Sequence, residues 1–281
     1  MPTSTRQCNV SYLQDISANT YCCMRADVGI GPYNDLLDKS EFKRLNKLFC
    51  FSLCCDKIRK ISKRGDFLER CIIFCAGGFD GLALPVEKDD YIIAADGGFA
   101  HLEKLGITPN AVLGDFDSLG YVPENANVFP VEKDDTDTML AIRHGLGKGC
   151  REFLIYGALD GPRLDHTVAN FQALQFLADR GATGYLIGLT QIATVIKNET
   201  VCFPTEAQGI LSLFCTGADS KGVTLQGLKY PLEKGTLTSG FPLGVSNHFT
   251  GVPSKITVTD GSLLLLFDRQ NLLPGRQKYE V

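Results

Sequence analysis

The pattern of apolar and polar positions along this chain changes character at about residue 190. Before it, the runs CIIFCAGG, YIIAADGG, AVLGDFDS, NVFPVEKDD, EFLIYGALDG and GYLIGL recur, each apolar throughout and closed by or followed by Gly or Asp. Runs of that kind, rich in Ile, Val, Phe and Tyr, suit strands buried on both faces of a parallel sheet. The stretches between them have helical length and period. Residues 99–106 read as a short helix closed by Gly106, residues 136–147 set Met139, Ile142 and Leu146 on one face, and residues 166–180 do the same with Val168, Phe171, Leu174 and Ala178. The pattern predicts a parallel-sheet α/β domain over residues 69–189. After that the helical period disappears and the chain becomes ATVIK, TVCF, ILSLFC, GVTLQG, KITVT and SLLLLF with turn residues between them. These short strands predict a C-terminal all-β sandwich domain, or a partly open barrel, over residues 190–281. Asp260-Gly261, between KITVT and SLLLLF, predicts a two-residue hairpin.

Composition narrows the classes. With 281 residues, 44% apolar side chains and a formal charge of −4, the chain has the size of two ordinary globular domains. The longest clean apolar runs, such as residues 263–267, are far shorter than the ~18 residues of a membrane span, so stable membrane insertion is not expected. An acidic balance with mixed signs argues against a dedicated nucleic-acid binder. Eleven cysteines cannot all pair, and free thiols in a reducing, cytoplasmic setting are the expectation. Six of them, Cys8, Cys22, Cys23, Cys50, Cys54 and Cys55, fall in residues 1–68, where the adjacent pairs lack the gap that lets two thiolates grip one zinc. In that region residues 41–64 hold eight Lys or Arg against Glu41 and Asp56, a local +6 that leaves −10 for everything else. An amphipathic surface helix or a targeting sequence would explain the run. A weakly ordered, solvated N-terminal extension, dispensable for chemistry, is the expectation adopted for residues 1–68.

Candidate chemistry comes from where the acids sit. Asp96 closes the second apolar run, Asp115 and Asp117 the third, Asp134, Asp135 and Asp137 the fourth, and Asp160 and Asp165 follow the fifth. In an open parallel sheet the strand C-termini share one edge, where such folds bind ligands. If the third strand continues, Asp115 and Asp117 share a face about 6.6 Å apart and repel by about 2.5 kcal/mol at an effective dielectric of 20. A hard cation relieves that repulsion, and all-oxygen ligands favour Mg²⁺ over zinc. Magnesium among carboxylates points in turn to phosphate chemistry. Helix capping by Asp135 and Asp165 is the competing explanation for those two acids. Gly77-Gly78 and Gly97-Gly98 follow strands, where backbone N–H groups can approach a polyphosphate. Neither GxxxxGK[ST] nor GxGxxG occurs, which supports neither a P-loop nor a standard dinucleotide fold. Arg163 before a helix, and Lys133, offer positive charge to a phosphate. His166 and Asn170, four apart, share the face of a first helical turn, with simple packing as the alternative for His166.

The motifs AADGG, GDFDS, DDTD and GALDGPRLDHTVAN, in that order, resemble those of the thiamine pyrophosphokinase family. LKYPLEKGTLTSGFPLGVSN further on is similar to that family's thiamine-site segment, so the resemblance covers about residues 69–270. It implies an α/β domain followed by a β-sandwich, a homodimer, and transfer of the pyrophosphoryl group of ATP to thiamine with Mg²⁺. It further implies that Asp115, Asp117 and Asp137 hold the metal and polyphosphate with Asp96 as a further ligand or orienting group. Asp165 is expected near the thiamine hydroxyl or its metal-bound environment, and Ser246 and Asn247 as thiamine contacts, reached across the dimer. The chain has no Trp to stack on the thiamine ring as in some members, so Tyr or Phe substitutes or the contact is absent. Two other readings compete. Asp115-Phe116-Asp117 superficially matches the nucleophile motif of haloacid-dehalogenase-type phosphatases, although it follows the third strand rather than the first. A nucleotide-binding module without turnover is the other.

Overall fold

In the computed structural model the described residues are 70–116, 121–123, 127–128, 135–271 and 273–278. Residues 1–68, Asp117, Lys133 and Asp134, all named above, lie outside them. The first half is built on β1 (Arg70–Phe74), β2 (Tyr91–Ala95), β3 (Ala111–Gly114), β4 (Asn127–Val128), β5 (Glu152–Tyr156) and β6 (Thr183–Ile187). They pair in parallel in the order β6-β5-β1-β2-β3-β4. Their uniform apolar character has a plain cause, because both faces are covered. Cys71, Ile73, Phe153 and Ile155 point to one core, and Ile72, Phe74, Leu154 and Tyr156 to another on the opposite face.

Three helices lie between these strands: α1 (Phe99–Leu105), α2 (Asp137–Gly147) and α3 (Leu164–Asp179). Ala141 and Ile142 of α2 and Ala173, Leu174 and Leu177 of α3 fill the first core, whereas Leu102 of α1 joins the second. Gly106 stops α1 by taking φ 66, a left-handed conformation that glycine adopts without a Cβ penalty. Thr136 starts α2, its side-chain oxygen accepting the Met139 N–H at 3.2 Å. The capping role expected of Asp135 therefore belongs to Thr136, and Asp135 pairs with Arg143 at 3.1 Å.

The second half comprises β7 (Gln191–Lys197), β8 (Glu199–Phe203), β9 (Ile210–Cys215), β10 (Ser220–Gln226), β11 (Leu232–Leu237), β12 (Asn247–His248), β13 (Ser254–Thr257), β14 (Ser262–Asp268) and β15 (Gly275–Lys278). β7 turns back and pairs antiparallel with β6, so the parallel sheet runs on without a break as β12-β9-β14-β7-β6-β5-β1-β2-β3-β4. A separate antiparallel sheet, β11-β10-β13-β8-β15, completes a sandwich with the β7, β9 and β14 end of the large sheet. Ile192, Ile196, Leu211, Leu213, Leu263, Leu265 and Phe267 from one sheet share a core with Val201, Phe203, Val223, Leu225 and Ile256 from the other.

The hairpin expected at Asp260-Gly261 is not one. β13 pairs with β8 and β10, and β14 pairs with β7 and β9, so these two residues carry the chain from one sheet to the other. Gly261 takes φ 114, and a Cβ there would lie 2.8 Å from Ser220 Oγ. The glycine is required by the crossing rather than by a type I′ turn.

Candidate active site

Two close backbone approaches bring the strand-end acids together. Asp96 follows β2 with φ 48 and opens a tight 3-10 turn, Asp96–Gly98. A Cβ on Gly98 would fall 1.9 Å from the Phe74 carbonyl oxygen, so only glycine lets this turn sit against the end of β1. Gly114 closes β3 with φ 155, and a Cβ there would lie 2.9 Å from Asp96 Cα. With both side chains missing, the ends of β2 and β3 close up and carry Asp96 and Asp115 toward each other. Asp137 joins them as the first residue of α2, where the helix dipole favours negative charge.

All three carboxylates are half-buried, and each offers an oxygen within 4.8 Å of the others. Each pair repels by at least about 3.5 kcal/mol at an effective dielectric of 20. Asp115 owes its place to a bend and not to strand alternation. β3 ends at Gly114, and the buried Phe116 takes φ 60, so the extended geometry expected to align Asp115 with residue 117 does not hold.

The three acids line a cavity of about 560 Å³ at the C-terminal edge of the parallel strands. Gly77, Arg163, His166 and Asn170 line it as well, as the sequence led us to expect. Gly77, its neighbour Gly78 and Asn170 are already engaged by the protein itself. The Gly77 amide donates to Gly157 O at 2.9 Å and the Gly78 amide to Asp160 O at 3.0 Å, so neither N–H is offered to a phosphate. What Gly77 contributes is close packing, since a Cβ would meet Gly157 O at 2.5 Å. Asn170 is buried, and its amide nitrogen donates to Ala158 O at 2.7 Å, anchoring the loop that carries Arg163.

Asp165 is not with the other acids. It is exposed and forms a forked pair with Arg163 at 2.7 and 3.3 Å. The Arg163 guanidinium, helped by the His166 amide, holds its carboxyl below the usual range. Gly97 and Gly98 shape the Asp96 turn and do not line the cavity.

Cys75, Thr136 and Thr138 line the cavity without having been singled out. They stand at the same strand end and helix start as the acids, so position marked them and residue type hid them. Cys75 Sγ lies 3.4 Å from Thr138 Oγ1, and burial pushes its thiol up to about 12, which makes it an inert floor rather than a nucleophile. A larger hollow of about 660 Å³ lies beside α1 and the start of β3. Among the described residues its one carboxylate is Glu103, which accepts from Tyr121 OH at 2.6 Å, and Asp96, Asp115 and Asp137 do not line it.

Ser246 and Asn247 line a separate, mostly apolar pocket of about 480 Å³ in the sandwich, with Tyr230, Leu232 and Leu243. Asn247 is buried and bound at both ends of its amide. Its Oδ1 accepts from the Tyr230 N–H at 2.9 Å, and its Nδ2 donates to the Tyr230 carbonyl at 2.8 Å. The Asn247 amide is thereby satisfied internally, and Tyr230, with Lys229 Nζ 5.3 Å from its ring centre, is 57% exposed. Ser246 takes φ 59, and its N–H donates to Ser212 Oγ at 3.0 Å.

A mostly parallel α/β sheet with acids gathered at one edge, running on into a β-sandwich, places the chain among α/β enzymes that work at the carboxyl ends of their strands. The thiamin pyrophosphokinase catalytic-domain family model matches residues 83–185, and that family's vitamin B1 binding-domain model matches residues 198–263. The two matches together take in more than half of the chain, which belongs to the thiamin pyrophosphokinase family. A thiamine pyrophosphokinase of Bacillus subtilis is 28% identical over 183 residues, covering 62% of this chain and 85% of that protein. A crystal structure of a thiamine pyrophosphokinase from Bacillus subtilis superposes with a TM-score of 0.62 at 24% identity, over 71% of this chain and 99% of that one. The thiamin pyrophosphokinase of Geobacillus thermodenitrificans gives 0.59 at 25%, over 71% and 97%.

Proposed function

We propose that this chain transfers the pyrophosphoryl group of ATP to the hydroxyethyl oxygen of thiamine, giving thiamine diphosphate and AMP. The observation that carries this reading is the convergence of Asp96, Asp115 and Asp137 in one cavity with Arg163 and His166. The thiamine hydroxyl oxygen attacks the β-phosphorus and gives up its proton to water, the bond from that phosphorus to the oxygen bridging to the α-phosphate breaks, and AMP leaves with the electron pair. Such a transfer depends on positioning and on neutralising the migrating charge more than on covalent chemistry.

The donor set fits Mg²⁺: three hard carboxylate oxygens, no thiolate or imidazole among them, and mutual repulsion that a divalent cation relieves. Asp96, Asp115 and Asp137 would hold the ion, with Asp117 assigned beside them by family resemblance. Once bound, it supplies positive charge to the phosphate oxygens. Arg163 adds a forked donor for the polyphosphate, and Lys133, on the sequence reading, a second positive charge. Asp165 serves in this reading by fixing Arg163, the partner it holds in the structure. The haloacid-dehalogenase and binding-only alternatives gain no observation in their favour.

The division of labour follows the two halves. Residues 69–189 bind ATP, residues 190–281 bind the thiamine ring, and residues 1–68 are dispensable for chemistry. Tyr230 takes the place of the missing Trp, because its exposed ring stands at the sandwich pocket and Asn247 fixes its backbone. We further assign the enzyme to the cytoplasm and to a homodimer in which the sandwich pocket of one subunit meets the acidic cavity of the other. Among the described residues no helix is long and apolar enough to cross a membrane.

Incubation with ATP, Mg²⁺ and thiamine should yield AMP and thiamine diphosphate in equal amounts. Orthophosphate release without AMP, or ATP binding without turnover, would overturn the reading. Mixing an Asp137→Asn subunit with an Asn247→Ala subunit tests the shared site, since exchange regenerates one intact pocket per heterodimer.

A further inference from the structure

The wall of the acidic cavity is formed by two loops, 75–78 after β1 and 157–163 after β5. Neither is held by strand pairing. They are held by each other, through Gly77 N–H to Gly157 O and Gly78 N–H to Asp160 O. The second loop is tied in turn to the bend between β6 and β7, where Asp160 Oδ2 accepts from the Leu189 N–H at 2.6 Å. A single side chain from the far half of the molecule closes this chain of contacts. Arg269 follows β14, with its own N–H bound to Thr190 O at 2.9 Å.

The Arg269 guanidinium donates to Gly81 O at 2.6 Å and to Gly188 O at 3.1 Å, and it pairs with Asp80. Its side chain is only 17% exposed, against 56% for Asp80. A planar, always charged fork can hold carbonyls from two backbone segments and a carboxylate at once, which a lysine cannot.

We infer that Arg269 is a positioning residue for the nucleotide side of the site: from the sandwich half it clamps the loop after β1 to the β6–β7 bend and so fixes the glycine-lined wall against which ATP binds. It touches neither the acids nor the cavity, and its effect is on the shape of the wall. This inference rests on the proposed ATP-dependent activity for its kinetic part alone.

Two readouts test it on the full chain. In Arg269→Gln, hydrogen exchange at the Gly77, Gly78 and Leu189 amides should accelerate roughly tenfold or more, the scale of one lost charge-assisted hydrogen bond. The KM for ATP should rise by about the same factor, while kcat and the KM for thiamine stay within about twofold. Arg269→Lys should recover only part of either change. Asp80→Asn, at the exposed end of the clamp, should shift both readouts in the same direction by less, and it decides the question if Arg269→Gln does not fold. A folded Arg269→Gln with unchanged exchange at those three amides, or with loosened amides and an unchanged KM for ATP, would overturn the inference. So would an Asp80→Asn variant identical to wild type in both. If the wild-type protein does not turn over ATP with thiamine, the proposed function fails, and the exchange result still decides whether Arg269 holds the loops.

Discussion

The acidic cavity and the sandwich pocket solve opposite problems. In the sandwich pocket every polar contact of Asn247 ends on the protein itself, and what faces outward is an apolar surface and an aromatic ring. In the acidic cavity three carboxylates crowd within 4.8 Å, an arrangement that opposes folding and favours a cation. Internally met polar contacts stabilise the one region, whereas mutual repulsion among the acids works against the other. A residue's contribution to stability therefore says little about its contribution to chemistry.

The comparison breaks most sharply at the acids. Asp115→Asn or Asp137→Asn should lower kcat/KM at least 100-fold, about 2.7 kcal/mol of transition-state stabilisation. The melting temperature without metal should hold or rise, because a like charge has gone. Near-wild-type turnover in both variants would remove the basis for the metal assignment.

Asn247→Ala should cost stability as well as thiamine binding. The Tyr230 N–H and carbonyl lose their partner, so the fold should lose about 2 kcal/mol, seen in urea unfolding. Tyr230→Ala, at an exposed ring, should leave the unfolding curve alone and raise the KM for thiamine up to about tenfold. An unchanged KM for thiamine there would leave the ring without a role in recognition.

The smallest effect belongs to the forked pair at the cavity rim. Hydrogen bonding from Arg163 depresses the Asp165 carboxyl, so any stability it adds is present above the ordinary carboxylate range and lost as pH falls through the lowered folded value. In Arg163→Gln the Asp165 midpoint, followed by NMR titration, should move up toward the ordinary carboxylate range. Both side chains are 65% exposed, and the melting temperature should barely respond. A midpoint that stays put would show that Arg163 is not the cause of the shift.

Much of this was legible before any coordinates. The apolar runs fell on β1, β2, β3, β5 and β6, because burial on both faces writes itself into local composition. The acids at those run ends gave Asp96, Asp115 and Asp137 as one cluster, because parallel connectivity puts every strand end on one edge. What stayed hidden was partner choice. Nothing local in KITVT or SLLLLF says that β13 and β14 belong to different sheets, or that β7 prolongs the parallel sheet past residue 190. Gly77 and Gly78 misled for a related reason. A glycine pair after a strand is consistent with phosphate binding and with a tight backbone crossing, and the Gly157 and Asp160 carbonyls decide between them.

The place of β14 has a consequence for how the chain is made. It lies between β7 and β9, pairing with both along most of its length, yet it is among the last strands to be synthesised. Until residues 262–268 emerge, the strands that will flank it each present an unpaired, largely apolar edge, the kind of surface through which nascent chains aggregate. A stop codon a short way upstream of Ser262 would therefore do more than shorten the protein. It would leave the large sheet open in its middle, and the product should be lost to aggregation or degradation even though every acid of the cavity edge had already been translated.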